Sequence, residues 1–572
     1  MRDEFPAERA ALTDRTRLRL YLFVVAVLAS TLLLLAARPL EHVFSVPITE
    51  DAYYALSVAR NIASGHGFAI EPGLVTNGFQ PMFTVLEAAA FVLGGDDAIA
   101  LRWVVVLSWV AHVGAAGLAA LVAGDAWPAA TKAEYDHRRA LAALLYLAAP
   151  LMLNHAYNGL ETGATLFFYL ALARALQIGG TTTRLGAVLC GGLGGLLVLA
   201  RIDAAIVVTV LAVAIAVRGL RRGPIDALAR GALFGLAALA VSLPWWAFNI
   251  VQFGSPMPTS GLAQQGFEIT LLRAAFAATA LGKVLVPWLY FGSAEGSIAS
   301  LPILDDLGIT LFDFARWGAA LIFIVLVTRA SNGAWRAIPP SDRVRESVWA
   351  GQALAVGFAV IVAYYALNFT AYWFYYRYFA PLIAFSVVIA AISAGRISAR
   401  ERGRWVVPAA VVVACLQSVA LIALAWNGVG LFGQSDYRDQ VALVNDVVPP
   451  GETVAAGQSG TLGFFRAHVV NLDGKVNRDA IGQQGRSIDY LRERGVRWFC
   501  DWPHYARKYL GVALDPVTGL PGAEGNGWRL VAVRGYFFLY EDASRAPVPP
   551  FPAGEEAIAM SQRMRRVPRL PR

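Results

Sequence analysis

Two adjacent acidic residues, Glu50 and Asp51, follow the first long apolar segment of the chain. Burying an unpaired charge costs several kcal/mol, so ionisable residues close to apolar segments need a partner or a function. A pair of carboxylates at a membrane surface can supply a general base and a second group that orients the base or the substrate. The same acids are also favoured in the first turn of a helix, because they face its positive dipole end. The sequence allows both interpretations.

The composition places this acidic pair in a membrane protein. The chain has 572 residues, of which 57% are hydrophobic and 15% are charged, whereas soluble domains carry about 25% charged residues. Apolar runs of roughly 15 to 25 residues recur as far as about Trp426, and the composition then becomes ordinary. The pattern excludes an ordinary soluble enzyme. It predicts a polytopic α-helical membrane domain in residues 1–428 and a small soluble α/β domain in residues 429–572.

Hydropathy predicts about eleven transmembrane helices. The first, Leu18–Leu40, is too long for a signal peptide and is predicted to start in the cytoplasm. The loop 41–102 then lies outside, with Phe83–Leu93 as a helix at the membrane interface, because it is too short to cross. The other predicted spans are Trp103–Val122, Ala140–Leu153, Leu160–Ile178, Leu185–Ala200, Ala204–Val217, Gly231–Ile250, Ile309–Thr328, Val348–Asn368, Tyr375–Ser393 and Trp405–Trp426.

Basic residues in the loops set the predicted orientation. With eleven spans, the basic clusters between spans fall on one side, which the positive-inside rule makes the cytoplasm, and the C-terminal domain lies outside. This bias explains the net charge of +8, so no nucleic-acid partner is predicted. The segment Leu271–Tyr290 is interpreted as a re-entrant or surface helix, because a full span there would place the cluster Arg396–Arg404 outside.

The C-terminal domain shows short alternating strands. Strands are predicted at Thr453–Ala456, Val469–Leu472, Arg497–Trp502, Trp528–Val533 and Tyr536–Tyr540, with helices at Asp436–Val447 and Ile488–Arg494. The glycine-rich run 457–463 lacks the Lys-Ser/Thr ending of a P-loop, so a tight turn is favoured over a phosphate loop. The three cysteines, Cys190, Cys415 and Cys500, are too scattered to indicate a disulfide framework or a metal site.

The order of motifs in the first loop resembles the GT-C superfamily of membrane glycosyltransferases. The acidic pair is followed by Ala52-Tyr53-Tyr54, Ala59-Arg60-Asn61, Gly65-His66-Gly67 and Thr76-Asn77-Gly78-Phe79-Gln80-Pro81. The superfamily includes protein O-mannosyltransferases, lipid A aminoarabinose transferases and mycobacterial arabinofuranosyltransferases. The resemblance covers roughly residues 18–428 and is strongest at 48–81. It implies a GT-C fold but does not specify the sugar.

The resemblance implies an inverting transfer of a sugar from a polyprenyl phosphate to a cell-envelope glycan, lipid or protein. The reaction is expected at the periplasmic face of a bacterial inner membrane. It needs a carboxylate that takes the proton of the acceptor hydroxyl and cations that receive the charge of the departing phosphate. Glu50 aligns with the usual catalytic Asp and Asp51 with its acidic neighbour. Because the superfamily usually has Asp at the first position, Asp51 is an alternative base.

Three arginines at the outer ends of apolar segments are the candidate phosphate ligands that the resemblance suggests. Arg377 lies in Tyr375-Tyr376-Arg377-Tyr378, which is similar to the Arg-Tyr of late spans in the superfamily; an arginine in an aromatic belt is the alternative. Arg201 forms an Arg-x-acid motif with Asp203. Two residues at i and i+2 do not face each other on a helix, so each is predicted to meet a different partner. Arg102 could contact the phosphate or anchor its span.

The other candidates would bind the substrate. They are His66, Asn77, Gln80, Glu161, Asp203, Tyr376 and Tyr378. A turn explains the histidine and the asparagine equally well, and a helix N-terminus explains Glu161. In the tail, His468 and Asp473 are expected to be exposed and could help to select the acceptor.

No cofactor is indicated with certainty. The superfamily leaves open a divalent cation near the acidic pair, but the sequence offers no His-rich or Asp-rich ligand set with metal spacing. Two other functions remain as alternatives: a lipid-linked glycan polymerase or ligase, and a membrane transporter. The transporter is disfavoured because the acidic signal lies in an outer loop and the sequence shows no inverted repeat.

Overall fold

The computed structural model describes most of the chain. The described residues are 4–43, 46–129, 131–220, 223–290, 309–334, 342–398, 406–427, 437–483, 485–516 and 519–544. They form a helical part up to residue 427, here called the membrane part, and a mixed α/β part from residue 437, here called the tail domain. The predicted domain boundary at residues 428 and 429 lies outside the described residues.

Helices make up nearly all of the membrane part. In chain order they are α1 (Glu4–Leu34), α2 (Leu40–Val43), α3 (Glu50–Ala63), α4 (Pro81–Gly94), α5 (Asp97–Asp125), α6 (Lys132–Leu147), α7 (Pro150–Ala156), α8 (Thr162–Gln177), α9 (Arg184–Ala200), α10 (Ala204–Gly219), α11 (Pro224–Phe253), α12 (Thr259–Leu262), α13 (Leu271–Leu285), α14 (Leu311–Ala334), α15 (Asp342–Asn368), α16 (Tyr375–Tyr378), α17 (Pro381–Ser398) and α18 (Val406–Trp426).

The chain is a multi-pass membrane protein. Among the described residues, four helical segments are long and apolar enough to cross a bilayer: Arg15–Ala37, Asp97–Asp125, Pro224–Phe253 and Asp342–Asn368. A fifth crossing is formed if Tyr372–Tyr378 and Pro381–Ala394, which are bent by 51° at their junction, make one span. A helix lies at each predicted span. The number of eleven crossings and their orientation stay predictions, as does the interfacial placement of α4 and α13.

Glycines allow two of the long helices to approach closely. A side chain on Gly191 of α9 would meet the carbonyl oxygen of Phe234 at 2.2 Å, and one on Gly195 would meet that of Ala238 at 2.6 Å. Both carbonyls belong to α11. In membranes the lipid tails are as apolar as the side chains, so the hydrophobic effect does not drive helices together. Helices associate instead through close packing, which small residues allow.

The described residues of the tail domain form a six-stranded sheet. Its strands are β3 (Val454–Ala456), β4 (Val469–Asn471), β5 (Trp498–Asp501), β6 (Glu524–Gly525), β7 (Trp528–Arg534) and β8 (Phe537–Asp542). The strands β1 (Ala69–Glu71) and β2 (Leu74–Val75) form a separate pair in the first loop. The strand order is β4-β3-β5-β8-β7-β6. The neighbours β4, β3 and β5 are parallel, and the other pairings are antiparallel.

The sheet of the tail domain has an apolar core on each face. Phe499 of β5 packs in one core, whereas its neighbours Trp498 and Cys500 pack in the other, as expected when successive side chains point to opposite faces. The helices of this domain are α19 (Tyr437–Val447), α20 (Gly460–Phe465), α21 (Ser487–Glu493) and α22 (Pro503–Leu510). The predicted α/β pattern is confirmed. The sequence analysis missed α20, α22 and the edge strand β6, all of which are short.

Candidate functional site

The first loop of the membrane part binds the tail domain through Glu50, the first residue of α3. The Glu50 carboxylate is 7% exposed and accepts hydrogen bonds from the backbone N–H of Thr461 at 2.8 Å, from the backbone N–H of Gly460 and from the hydroxyl of Thr461. These donors lie at the start of α20. Glu50 therefore links the acidic pair to the tail domain and does not face an open site.

Burial governs the protonation of Glu50. It raises the pKa of the Glu50 carboxyl to about 7, against the opposing effect of the hydrogen bonds from Thr461 and Gly460. Burial raises the pKa of a carboxyl group, and hydrogen bonds from backbone N–H groups lower it. The link between the two parts of the chain is therefore sensitive to pH near neutrality.

Both tyrosines of the Ala-Tyr-Tyr motif reinforce this link. The Tyr54 hydroxyl accepts hydrogen bonds from the backbone N–H of Ser459 at 3.1 Å and from the side-chain amide of Asn471 at 3.2 Å. The Tyr53 ring packs against Phe464 of α20, with ring centroids 5.1 Å apart. The motif thus positions α3 against the tail domain.

The glycine-rich run 457–463 binds carboxylates of the chain itself. Its first N–H groups, at Gly457 and Gln458, donate to Asp501 at 2.7 and 2.8 Å, and its later N–H groups bind Glu50. Burial raises the pKa of Asp501 to about 8, although three backbone hydrogen bonds oppose the shift. The run is neither a phosphate loop nor a bare turn, because its donors are used to hold two acidic side chains.

Asp51, the second acid of the pair, lies between two cations. Its carboxylate is 2.9 Å from the Lys475 ammonium of the tail domain and 3.3 Å from the Arg377 guanidinium of the membrane part. Burial alone would raise the pKa of Asp51, but the charges of Lys475 and Arg377 and their hydrogen bonds hold it below its usual value. With a side chain 22% exposed, Asp51 is an ionised carboxylate that solvent can still reach.

Ion pairs extend from Asp51 in both directions. On one side, Lys475 also contacts Asp473 at 3.1 Å. On the other side, Arg377 contacts Glu161 at 3.4 Å and Glu161 contacts Arg201 at 3.2 Å. The series ends with Asp203, which lies 3.0 Å from Arg201. The alternating series, here called the charge chain, consists of Asp473, Lys475, Asp51, Arg377, Glu161, Arg201 and Asp203.

Aromatic side chains support the far end of the charge chain. The Tyr365 hydroxyl donates to Asp203 at 2.5 Å, and the Arg201 guanidinium lies 4.6 Å from the centroid of the Tyr378 ring. The expectation that Arg201 and Asp203 meet different partners is wrong in one respect, since they bind each other. The reason is that α9 ends at Ala200 and Arg201 has an extended backbone, with φ of −158°, so the helical spacing rule does not apply.

A close backbone approach fixes Lys475 above the first loop. A side chain on Gly78 would meet the carbonyl oxygen of Lys475 at 1.9 Å. Gly78 belongs to the Thr-Asn-Gly-Phe-Gln-Pro motif, so the glycine is needed for contact with the tail domain. The buried Asn77 side chain binds Asn249 at 3.1 Å and accepts from the backbone N–H of Thr259 at 3.0 Å. Asn77 therefore fastens this loop to the helices below.

The other predicted residues divide into two groups. Gln80 accepts from the backbone N–H of Ile202 at 3.2 Å, beside the charge chain, and the Tyr376 ring lies 5.3 Å from the His155 ring. His66 is exposed in a turn, and Arg102 binds the backbone carbonyls of Ala98 and Arg38. The structure places neither of the last two in the charge chain.

Sequence analysis missed Lys475 and His155. Lys475 lies far along the chain from Asp51, in a turn with no distinctive motif. His155 follows the apolar run Ala140–Leu153. It could have been found by the rule that an ionisable group close to an apolar segment needs a partner or a function. It is buried, and its ring nitrogens have no hydrogen-bond partner among the described residues. Asp473, which we expected to be exposed, has a largely buried side chain because it pairs with Lys475.

The acidic residues of the site do not suit a metal ion. No group of three or more His, Cys, Asp or Glu side chains with metal-binding spacing occurs among the described residues. Asp51, Glu161, Asp203 and Asp473 are instead each paired with Lys or Arg. A divalent cation would have to displace these partners, so no step of the chemistry below uses one.

Comparison with solved structures identifies the fold. The ArnT structure from Cupriavidus metallidurans, bound to undecaprenyl phosphate, matches with a TM-score of 0.51 at 16% identity and covers 92% of this chain and 99% of that chain. The oligosaccharyltransferase AglB from Archaeoglobus fulgidus matches with a TM-score of 0.50 at 12% identity and covers 85% of this chain and 69% of that chain. Both are GT-C proteins, and the chain has the GT-C fold. No protein-family model and no curated protein matches the sequence.

Gly460→Ala should separate the tail domain from the first loop. A side chain there would lie 2.3 Å from the carbonyl oxygen of Glu50, so we expect a loss of roughly 1–3 kcal/mol in stability. Gly463→Ala is the matched control in the same helix, because its side chain would meet only Val469, at 3.8 Å. Thermal unfolding of the detergent-solubilised chain measures both. Equal stability of the two variants would contradict the proposed contact.

Stability should fall as pH rises between about 4.5 and 7, because Glu50 binds a proton more tightly when it is buried than when it is exposed. The contribution is greatest below the unfolded pKa and is lost as pH passes the folded pKa, with a total on the order of 3 kcal/mol. Glu50→Gln should flatten this part of the profile, measured as unfolding temperature against pH. An unchanged slope in the variant would assign the titration to another group, such as Asp501.

Proposed function

We propose that the chain is an inverting glycosyltransferase that moves a sugar from a polyprenyl phosphate to a hydroxyl acceptor. The observation that carries the proposal is the placement of Asp51, an accessible carboxylate held between Arg377 and Lys475. The GT-C fold supports the proposal. The two matched structures contain undecaprenyl phosphate and dolichol-phosphate, which supports a lipid phosphate as the donor.

Asp51 is the proposed general base. It accepts the proton of the acceptor hydroxyl while that oxygen attacks the anomeric carbon and the bond from this carbon to the phosphate oxygen breaks. The electron pair of the broken bond leaves with the phosphate. One displacement with no covalent sugar intermediate inverts the anomeric centre.

Arg377 and Lys475 are the proposed phosphate ligands. Both contact the Asp51 carboxylate in the free protein, so a donor phosphate competes with Asp51 for them. As the cations turn toward the phosphate, Asp51 loses the charges that lower its pKa and becomes a stronger base. The proton that Asp51 gains and the negative charge that the phosphate gains balance each other, so the net charge of the charge chain and its ligands is conserved.

Glu161, Arg201 and Asp203, the members of the charge chain beyond Arg377, are proposed to position its guanidinium. Glu161 contacts both Arg377 and Arg201 and is almost fully buried. In such a site each charge is tolerated because oppositely charged neighbours and hydrogen bonds replace water. Fixed geometry of this kind lets the guanidinium receive charge in the transition state without first reorganising. His155 and Tyr376, beside Arg377, are proposed to border the sugar.

Glu50 has a different proposed role from the usual first acid of the superfamily motif. Its carboxylate is occupied by Gly460 and Thr461, so it holds the tail domain over Asp51. The reaction is proposed to occur at the periplasmic face of a bacterial inner membrane, with the tail domain in the periplasm and a cell-envelope molecule as acceptor.

Asp51→Asn should abolish most of the transfer, because an amide cannot accept the proton. We expect a decrease of roughly 10²–10⁴-fold in the rate, measured as sugar transfer from polyprenyl-phosphate sugars in membranes that contain the protein. Asp97→Asn is the matched control, since Asp97 is 44% exposed and binds Arg60 away from the charge chain. Full turnover by Asp51→Asn at normal protein levels would remove Asp51 as the base.

Lys475→Gln should weaken donor use, because one of the two cations for the phosphate is lost. We expect a decrease of about 10²-fold in the rate, as for removal of one charge-stabilising group. Lys475→Arg, which keeps the charge, should recover part of the activity. Equal activity of the Gln variant and the unaltered protein over a donor concentration series would show that Lys475 has only a structural role.

A further inference from the structure

A cleft lies where the tail domain faces the segment that follows α12. It has a volume of about 40 Å³, and its lining includes Ala263 of the membrane part together with Asp473, Gln483, Lys508 and Tyr509 of the tail domain. A water molecule needs about 10–15 Å³ of such volume, so the cleft has room for a few hydroxyl groups but not for a whole sugar ring.

The cleft is connected to Asp51 through two contacts. Asp473 lines the cleft and lies 3.1 Å from the ammonium of Lys475, which in turn lies 2.9 Å from the Asp51 carboxylate. A molecule with one hydroxyl at Asp51 could therefore place a neighbouring part in the cleft. Asp473 is the one lining residue that also belongs to the charge chain.

One buried polar group at the cleft lacks a hydrogen-bond partner. Tyr509 is 5% exposed, and its hydroxyl makes no hydrogen bond to any described residue. Asp473, by contrast, is paired with Lys475, whose ammonium lies 3.1 Å from the Asp473 Oδ2 atom. Buried polar atoms are rarely left without a partner, so a hydroxyl group of a ligand would fit against the Tyr509 hydroxyl.

The rest of the lining favours a neutral ligand. The Lys508 ammonium lies 4.9 Å from the centroid of the Tyr509 ring, and the Tyr505 and Tyr509 rings stack 5.8 Å apart. Burial lowers the pKa of Lys508, against the effect of the nearby Asp473. Because the lining carries one acid, Asp473, and one base, Lys508, it has no excess of cations for a phosphate, and a ligand with hydroxyl groups suits it better.

We infer that the cleft binds hydroxyl groups of a glycosyl unit in the acceptor, next to the hydroxyl that attacks the donor. The inference rests on the proposed function, but the binding of a glycoside in the cleft can be measured without any transfer of sugar. A neutral sugar supplies hydroxyl groups that can accept from the Tyr509 hydroxyl and donate to the Asp473 carboxylate.

The experiment is saturation-transfer NMR on the full chain in detergent, with methyl glycosides of mannose, glucose, galactose and arabinose as probes. At least one glycoside should bind, and Tyr509→Phe and Gln483→Ala should each weaken it roughly fivefold, as for one lost hydrogen bond. Tyr509→Phe removes only a hydroxyl without a partner, so it should leave the unfolding temperature unchanged.

Tyr540→Phe is the matched control. The Tyr540 hydroxyl donates to the carbonyl of Gly522 at 2.8 Å, so this variant should lose stability but keep glycoside binding. Asp51→Asn could leave sugar transfer intact while the cleft variants weaken glycoside binding. That result would contradict Asp51 as the general base but would support glycoside binding in the cleft.

Three results would overturn the inference. In the first, none of the four glycosides binds. In the second, a glycoside binds equally well to the unaltered protein and to both cleft variants, so its site lies elsewhere. In the third, inorganic phosphate displaces the glycoside and itself loses affinity in the cleft variants, which would make the cleft an anion site.

Discussion

The structure depends on one carboxylate shared by two cations from distant parts of the chain. Asp51 binds Arg377 in the membrane part and Lys475 in the tail domain, 424 residues away in sequence. Removing water from three charges is costly, and their mutual attraction offsets the cost only when the geometry is good. The tail domain must therefore sit where Lys475 can reach Asp51.

Neighbouring contacts secure that position. Glu50 binds the start of α20, Tyr54 fills the turn before it, and Gly78 lets the Lys475 backbone come close. All three residues belong to the first loop, which in turn is fixed to the helices through Asn77. The loop that supplies Asp51 thus also determines where Lys475 lies. The proposed base and the arrangement of the two parts of the chain therefore depend on the same short stretch of sequence.

The charge chain contains four acids and three bases, and each base contacts two of the acids. In an environment of low dielectric, the opposite charges on either side of each member offset part of the cost of removing it from water. In the proposed reaction, a donor phosphate therefore takes over cations that Asp51 holds, and Asp51 then takes up the proton of the acceptor.

The sequence by itself determined the class of the protein, because hydrophobic periodicity and composition act locally. Apolar runs predicted the helices of the membrane part, and the alternation of apolar and polar residues predicted most strands of the tail domain. The motif order around Glu50 and Asp51 indicated the GT-C fold. Only the tertiary structure decided which of the two acids contacts Arg377 and Lys475. Successive residues of a helix point about 100° apart, so Glu50 and Asp51 meet different neighbours, and those neighbours come from segments hundreds of residues away. No local pattern could have revealed Lys475 as the partner of Asp51.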